Sequence, residues 1–275
     1  MRKSAFVFLV AVIFLSSVSA GQTPYKLPPK EVVAILDAPP PPRPVMSPRG
    51  DMMVLVEYQA MPLLADLAQP LLRIGGLRIT PQTNSRQQMI FFTSLTLVSL
   101  VDGKSKKVGL PEGIRMGMPQ WSYDGQRLAF PRFKEQGVEL WVVDAKTGEA
   151  KVVTPPILNS VLNSGSRWLP GSERLLAFAV PESRGNPPQP PAVPIGPNIE
   201  ETMGKVSKVA TYQDLLKTAL DDSLFEFYAT SQIIEIDIAG GTTRKIGSPE
   251  VYLFAAPSPD GNYLLVHKIK KPYSH

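Results

Sequence analysis

The chain has 275 residues, no cysteine, and 29 basic against 24 acidic residues, which gives a formal net charge of +5. The basic residues are scattered, with no basic block and no aromatic-basic platform, so nucleic-acid binding is not supported. The absence of cysteine excludes disulfides, thiolate metal sites and a cysteine nucleophile.

Residues 1–20 have the layout of a secretory signal peptide. Arg2 and Lys3 precede an apolar run from Ala5 to Leu15, and small residues follow up to Ala20. An uncleaved membrane anchor is the alternative, but the apolar run is shorter than the roughly 20 residues of a spanning helix. We therefore expect export to the periplasm or the extracellular space, with no membrane attachment after cleavage.

Residues 21–45 are predicted to form an N-terminal helix and a proline-rich connector. The helix is expected within Leu27–Asp37, because proline suits a first helical turn and the apolar residues share one face. The run Ala38–Pro44 predicts an extended connector, since proline fixes φ and restricts the residue before it.

A strand-turn-strand unit then recurs along the chain. Its clearest copy is Trp121–Phe130 with Glu139–Gly148, in which Asp124–Gly125 supplies a turn between apolar strands. Related openings occur at Ser47, at Trp168 and at Ser258, and Trp168 lies 47 residues after Trp121. This spacing is typical of propeller blades.

The prediction is therefore an all-β fold, a partial β-propeller of about three and a half four-stranded blades with short helical insertions. The incomplete propeller is placed at 46–275, with blades at about 46–110, 115–155, 160–247 and, truncated, 252–275. A β-sandwich is the structural alternative, but it does not account for the recurring turn motif.

Two copies carry insertions. The first contains Pro62–Ala68, which is predicted to be a short helix. The third contains residues 181–230, whose first part, Gly185–Pro197, has six prolines and is predicted to be an extended loop. In its second part a helix is expected over Thr211–Leu220, with Thr211 as N-cap and Asp214 as the reciprocal cap.

The blade openings resemble those of the prolyl oligopeptidase family of serine peptidases. Three further segments are similar to the glutamyl endopeptidase branch of that family: Lys26–Glu31 with Asp37–Pro39, Leu71–Ile79, and Tyr212–Leu216 with Tyr228–Gln232. The resemblance covers essentially all of the chain after the signal peptide.

This resemblance implies an N-terminal propeller that gates peptide access to a C-terminal α/β-hydrolase domain, which cleaves after glutamate by Ser-Asp-His chemistry. The chain contains no Gly–x–Ser–x–Gly nucleophile elbow. No catalytic, cofactor-binding or metal-binding residue is therefore predicted, no cofactor is expected, and no peptidase activity is expected of the chain alone.

The predicted partners are the missing hydrolase domain and peptide substrates. The sequence stops within the fourth copy, after Lys271–Tyr273, which favours a fragment of a longer peptidase. The alternative function is a stand-alone exported propeller that binds a protein or a glycan, and a third possibility is a ring completed by two copies of the chain.

Few residues qualify as site candidates. His267 falls in a strand and His275 is the last residue, so neither a triad nor a metal site is indicated. Three aspartates recur at strand ends before turns, where turn chemistry is favoured over calcium binding: Asp102, Asp144 and Asp237.

Three other features have a structural and a functional interpretation. Trp121 and Trp168 are predicted to pack between blades rather than to stack on a ligand. Pro187–Pro191 is predicted to be a stiff surface loop rather than a ligand for an aromatic groove. For the helix that contains Leu215 and Leu216, packing on the blades and packing on a partner domain both remain open.

Overall fold

A computed structural model describes residues 26–163, 165–192, 196, 201, 203–204 and 212–273. The predicted signal peptide, Thr211 and His275 lie outside the described residues. The chain divides into two compact units, residues 1–39 and 40–275. In the first, helix α1 spans Lys30–Leu36, inside the segment predicted to be helical, and buries none of its residues. No helix in the described part of the chain is both long and apolar enough to cross a bilayer.

The second unit consists of antiparallel sheets. Blade 1 and its insertion contain β1 (Arg43–Met46), β2 (Met52–Tyr58), α2 (Leu64–Leu67), β3 (Leu72–Ile74), β4 (Leu77–Thr80), β5 (Ser85–Arg86), β6 (Phe92–Ser99) and β7 (Ser105–Lys107). Blade 2 contains β8 (Gln120–Trp121), β9 (Arg127–Phe133), β10 (Val138–Asp144) and β11 (Ala150–Val152). Blade 3 contains β12 (Arg167–Trp168), β13 (Arg174–Ala179), α3 (Ala219–Ala229), β14 (Ser231–Asp237) and β15 (Thr243–Glu250). A final hairpin consists of β16 (Tyr252–Pro257) and β17 (Leu264–Lys268).

The sheet orders are those of propeller blades. They run β1-β2-β6-β7, β8-β9-β10-β11 and β12-β13-β14-β15, so each blade is a four-stranded meander with its first strand at one edge. The final hairpin forms a two-stranded sheet. The predicted all-β class with propeller blades is confirmed.

Blade 1 differs from its prediction at its first strand and in its insertion. The prediction opened the blade at residue 46 and left Arg43–Pro44 in the connector, but β1 begins at Arg43 and pairs with β2. A proline is compatible with β1 because this strand lies at the sheet edge, where the missing N–H leaves no partner unpaired. The insertion also contains a sheet that was not predicted, with the order β3-β4-β5.

The cores lie between successive blades. Along β9, Leu128 and Phe130 pack with blade 1, whereas Ala129 between them packs with blade 3. Along β13, Leu175 packs with blade 2, whereas Leu176 packs with the final hairpin. Successive side chains of a strand point to opposite faces, so a strand buried on both faces is apolar at every position.

The two tryptophans at blade openings link neighbouring first strands. The Trp121 indole N–H donates to the carbonyl oxygen of Val45 at 3.0 Å, and that of Trp168 donates to Gln120 at 3.1 Å. Both bonds join a blade to the one before it in the chain. This geometry agrees with the predicted packing role.

Replacing Trp168 with phenylalanine is expected to lower the free energy of unfolding by about 1 kcal/mol, because it removes the hydrogen bond but keeps a buried ring. Trp168→Ala removes the ring as well and is expected to cost about 3 to 5 kcal/mol. Chemical denaturation of both variants separates the two contributions. An unchanged stability of Trp168→Phe would contradict the hydrogen-bonding role, and equal losses in the two variants would contradict the packing role.

The helix predicted over Thr211–Leu220 is wrong in position. Residues 212–217 are not helical, and Asp214 has a φ of 59°, outside the right-handed helical region. Helix α3 instead begins at Ala219, where Thr218 and Asp221 form a capping box. The same Thr–x–x–Asp pattern occurs twice, seven residues apart, and only the second copy begins a helix, whose Phe225 and Tyr228 are buried.

The capping box predicts a matched pair of effects. Thr218→Ala removes the acceptor for the N–H of Asp221 and is expected to cost about 1 kcal/mol of folding free energy. Ser223→Ala, at a half-buried position in the middle of the same helix, removes only a solvent-exposed bond to the Ala219 carbonyl and is expected to be neutral or slightly stabilising. Thermal denaturation followed by circular dichroism distinguishes them, and an unchanged midpoint for Thr218→Ala would argue against the cap.

A candidate ligand-facing cavity at the first strands

A cavity of about 580 Å³ lies at the edge formed by the first strands of the three blades. Strands β1, β8 and β12 contribute Arg43, Gln120 and Arg167 to its lining. Other lining residues come from the segments that precede these strands and from the neighbouring strands; they include Gln88, Asn163, Phe92, Phe133 and Phe178. The lining thus combines aromatic walls with amide and guanidinium groups.

Each of the two arginines lies against aromatic rings. The guanidinium carbon of Arg43 is 4.6 Å from the ring centre of Tyr58 and 5.7 Å from that of Phe92. That of Arg167 is 4.7 Å from the ring centre of Phe254. Such cation–π contacts fix the planar group in position while its N–H edge stays available.

The positive charge of this cavity is not balanced by acidic residues. Among the described residues, none that lines it is acidic, and neither Arg43 nor Arg167 makes an ion pair or a side-chain hydrogen bond. Other arginines of the chain do have carboxylate partners, for example Arg115 with Asp66 at 2.7 Å and Arg174 with Glu235 at 2.8 Å.

A second cavity, of about 1270 Å³, lies between the insertion of blade 1 and the hairpin of β9 and β10. Its lining includes charges of both signs, among them Arg115, Asp66 and Glu135. Because Arg115 is already paired with Asp66, we regard the first cavity as the better candidate for a charged ligand.

Two carboxylates, Glu139 (buried) and Glu235 (half-buried), hold structural ion pairs. Burial raises the pKa of Glu139, but the Trp141 indole and the neighbouring Lys134 and Arg132 outweigh burial, so this pKa lies below its ordinary value. Burial likewise raises the pKa of Glu235, and hydrogen bonds from Arg244 and Arg174 bring it below its ordinary value. Each cluster joins strands within one blade.

The recurring aspartates accept hydrogen bonds from their own turns. The carboxylate of Asp144 accepts from the backbone N–H groups of Thr147 at 2.7 Å and Lys146 at 2.9 Å, and the bond from Thr147 is the main cause of its lowered pKa. Asp237 accepts from Gly240 and Ala239 in the same way, with its pKa lowered chiefly by Gly240. Hydrogen bonds, first from the Lys104 side chain, lower the pKa of Asp102. Turn geometry thus accounts for these carboxylates.

The remaining candidates are not brought together. His267 lies against the ring of Phe254, with ring centres 5.7 Å apart, and no cluster of three metal-ligating side chains occurs among the described residues. Leu216 is buried against the chain's own insertions, whereas Leu215 is exposed. Pro187–Pro191 forms neither helix nor strand.

The two arginines of the cavity were not predicted from the sequence. Arg43 lies in the segment predicted to be a proline-rich connector. Arg167 directly precedes Trp168, for which the sequence predicted only a packing role. The alignment of blades 2 and 3 could have identified Arg167, because this residue occupies the position equivalent to Gln120, one residue before the tryptophan of its blade. Side chains at such positions of successive first strands face the same side.

The sheet topology defines the class of this chain as a propeller-type domain. No model of a known family matches the chain. A probable chloroplastic glutamyl endopeptidase of Oryza sativa is 40% identical over 95% of this chain, and one of Arabidopsis thaliana is 39% identical over 92%. The chain is thus homologous to part of these proteins, and the resemblance to the glutamyl endopeptidase branch is confirmed.

The chain spans only 29% and 27% of the lengths of these two relatives. Among solved structures it is similar to an acylaminoacyl peptidase of Pyrococcus horikoshii, with a TM-score of 0.44 and 17% identity over 84% of this chain and 28% of that one. It is also similar to the β-propeller domain of the trilobed protease of Pyrococcus furiosus, with a TM-score of 0.42 and 13% identity over 86% of this chain and 52% of that one.

Proposed function

We propose that this chain is the propeller part of an exported serine endopeptidase of the glutamyl endopeptidase type. In this role it controls which peptides reach an α/β-hydrolase domain that carries the nucleophile, the acid and the histidine. The observation that carries the proposal is the identity of 40% along 95% of the chain to a probable glutamyl endopeptidase. The cavity at the first strands supports it, since its size and its mixed aromatic and polar lining suit a peptide segment.

The reading frame downstream of the codon for His275 provides a direct test. A continuing frame that encodes a Gly–x–Ser–x–Gly motif, followed by an acid and a histidine, is the expected result. A stop codon with no hydrolase downstream would count against the proposal. In that case a monodisperse chain that unfolds cooperatively would favour the alternative function, a stand-alone exported propeller that binds a protein or a glycan.

Control of access requires a functional test with both parts present. The chain can replace the matching segment of the rice relative, and the chimaera can be assayed on a short glutamate-containing peptide and on a compact folded protein containing the same sequence. We expect cleavage of the peptide and not of the folded protein. Equal cleavage of both substrates by a folded chimaera would contradict the gating role.

Export is tested separately from activity. The mature protein recovered from the producing cell is expected to begin at Gly21, after removal of the signal peptide. Intact-mass measurement of the fraction outside the cytoplasmic membrane provides this result. A protein that retains residues 1–20 in the cytoplasm would exclude export without bearing on the propeller's role.

A further inference from the structure

We propose that the cavity at the first strands is a binding site for a carboxylate group of a peptide, held by Arg43 and Arg167. The choice of a peptide as ligand rests on the proposed function. The choice of a carboxylate rests on the cavity alone, through its charge, the orientation of its guanidinium groups and its polar lining.

The first argument is charge. Two permanently charged side chains line one cavity, and the described residues provide no carboxylate to either of them. Several arginines elsewhere in the chain have a carboxylate partner, and Glu235 accepts hydrogen bonds from two of them, Arg174 and Arg244. An unbalanced positive potential inside a concave surface attracts anions more strongly than the same charges would on a flat one.

The second argument is orientation. Both guanidinium groups lie with their carbon atoms within 5 Å of an aromatic ring centre, Arg43 on Tyr58 and Arg167 on Phe254. A guanidinium held against a ring has lost part of its freedom of motion, so a ligand that binds its N–H groups has less to order. The fork of N–H groups matches the two oxygens of a carboxylate.

The third argument is the rest of the lining. The side-chain amides of Gln120, Gln88 and Asn163 can accept from and donate to a peptide backbone, and Phe92 and Phe178 supply apolar surface. The Asn163 amide nitrogen already donates to the carbonyl oxygen of Tyr252 at 3.0 Å, which leaves its oxygen as an acceptor. Anionic ligands without a peptide backbone would not use these amides in the same way.

Isothermal titration calorimetry on the intact chain tests the site without any hydrolase domain. Three unlabelled hexapeptides serve as ligands at low salt: one with two glutamates and an amidated C-terminus, the same peptide with glutamines, and the glutamine peptide with a free C-terminal carboxylate. Binding of the first or the third, but not the second, is expected. Comparing the first and the third peptide distinguishes a side-chain carboxylate from a C-terminal one, and binding of either carboxylate supports the site.

Arg43→Gln and Arg167→Gln are each expected to weaken binding at least tenfold, since each variant loses hydrogen bonds between a guanidinium and a carboxylate. Arg78→Gln is the matched control, because it removes the same charge from an exposed strand position outside the cavity. Its affinity is expected to stay within about twofold of the unmodified chain.

Three outcomes would overturn the proposal. They are equal binding of the glutamate and the amidated glutamine peptides, no binding of any peptide, and equal losses of affinity from Arg78→Gln and the two cavity variants. If a glutamine variant does not fold, Arg43→Lys and Arg167→Lys replace it, because lysine keeps the charge and loses only the paired N–H geometry. A negative result here leaves the reading-frame test of the proposed function unaffected.

Discussion

Replacing Gly137 with alanine is expected to lower the free energy of unfolding by about 3 to 4 kcal/mol. Gly137 ends the tight loop between β9 and β10, where its carbonyl oxygen accepts from the N–H of Lys134 at 3.0 Å and its φ is +96°. A Cβ at this position would lie against the carbonyl oxygen of Pro156 and 2.9 Å from its Cβ. Because Leu158 donates to the carbonyl oxygen of Val138 at 3.0 Å, the Pro156 backbone cannot move away without loss of that bond.

Gly50→Ala is the control for this prediction. Gly50 also has a positive φ, +70°, but no atom of the described residues lies within 4 Å of its added Cβ. Gly50→Ala therefore has only the conformational cost of a positive φ, about 1 kcal/mol. The difference between the free energies of unfolding of the two variants measures the collision with Pro156. Urea denaturation of both variants provides the two values, and equal losses would show that the loop adapts.

Local signals were sufficient to predict the blades. The Asp–Gly and Ser–Pro–x–Gly turns set φ and hydrogen bonds within a few residues, and the apolar strands on either side can only pair with one another. Ser122 shows this, since its hydroxyl accepts from the N–H of Arg127 and donates to Asp124, closing the turn within six residues. The order of strands in a meander then follows from the chain order.

The misplaced helix shows where local signals fail. Thr211 with Asp214 and Thr218 with Asp221 are equivalent as sequence motifs, so propensity cannot choose between them. The choice is made by tertiary contacts: the N–H of Gly76 donates to the carbonyl oxygen of Asp214 at 2.9 Å, and Phe225 and Tyr228 share a core cluster with segments at least 60 residues away. Such contacts cannot be seen in any window of the sequence.

The candidate cavity was hidden for a related reason. Its two arginines come from β1 and β12, more than 120 residues apart, and each lies in a strand of only two to four residues. Strands this short have too few positions for periodicity to reveal which face a side chain takes. Only the placement of the blades brings Arg43 and Arg167 to one cavity.

The insertions of blades 1 and 3 meet at a polar group that closes the end of α3. The last carbonyls of a helix lack partners within it. Here the Asn159 side-chain amide donates to the carbonyl oxygens of Tyr228 at 3.0 Å and Thr230 at 2.8 Å, and its oxygen accepts from the N–H of Val161 at 3.1 Å. The Asn84 amide, from the insertion of blade 1, donates to the same Tyr228 oxygen at 3.4 Å.

Asn159→Leu is therefore expected to destabilise the chain by about 3 to 4 kcal/mol, since a side chain of similar size remains but Thr230 and Val161 lose the bonds from Asn159 and Tyr228 keeps only the longer bond from Asn84. Asn163→Leu is the matched control, because among the described residues that amide makes one hydrogen bond, to Tyr252, at a half-buried site, and its loss should cost about 1 kcal/mol. Urea denaturation provides both values, and hydrogen exchange should show the extra loss of protection in α3 for Asn159→Leu only. If the two variants lost equal stability, the helix end would be stabilised by its apolar contacts, and the insertions would be joined by packing rather than by this amide.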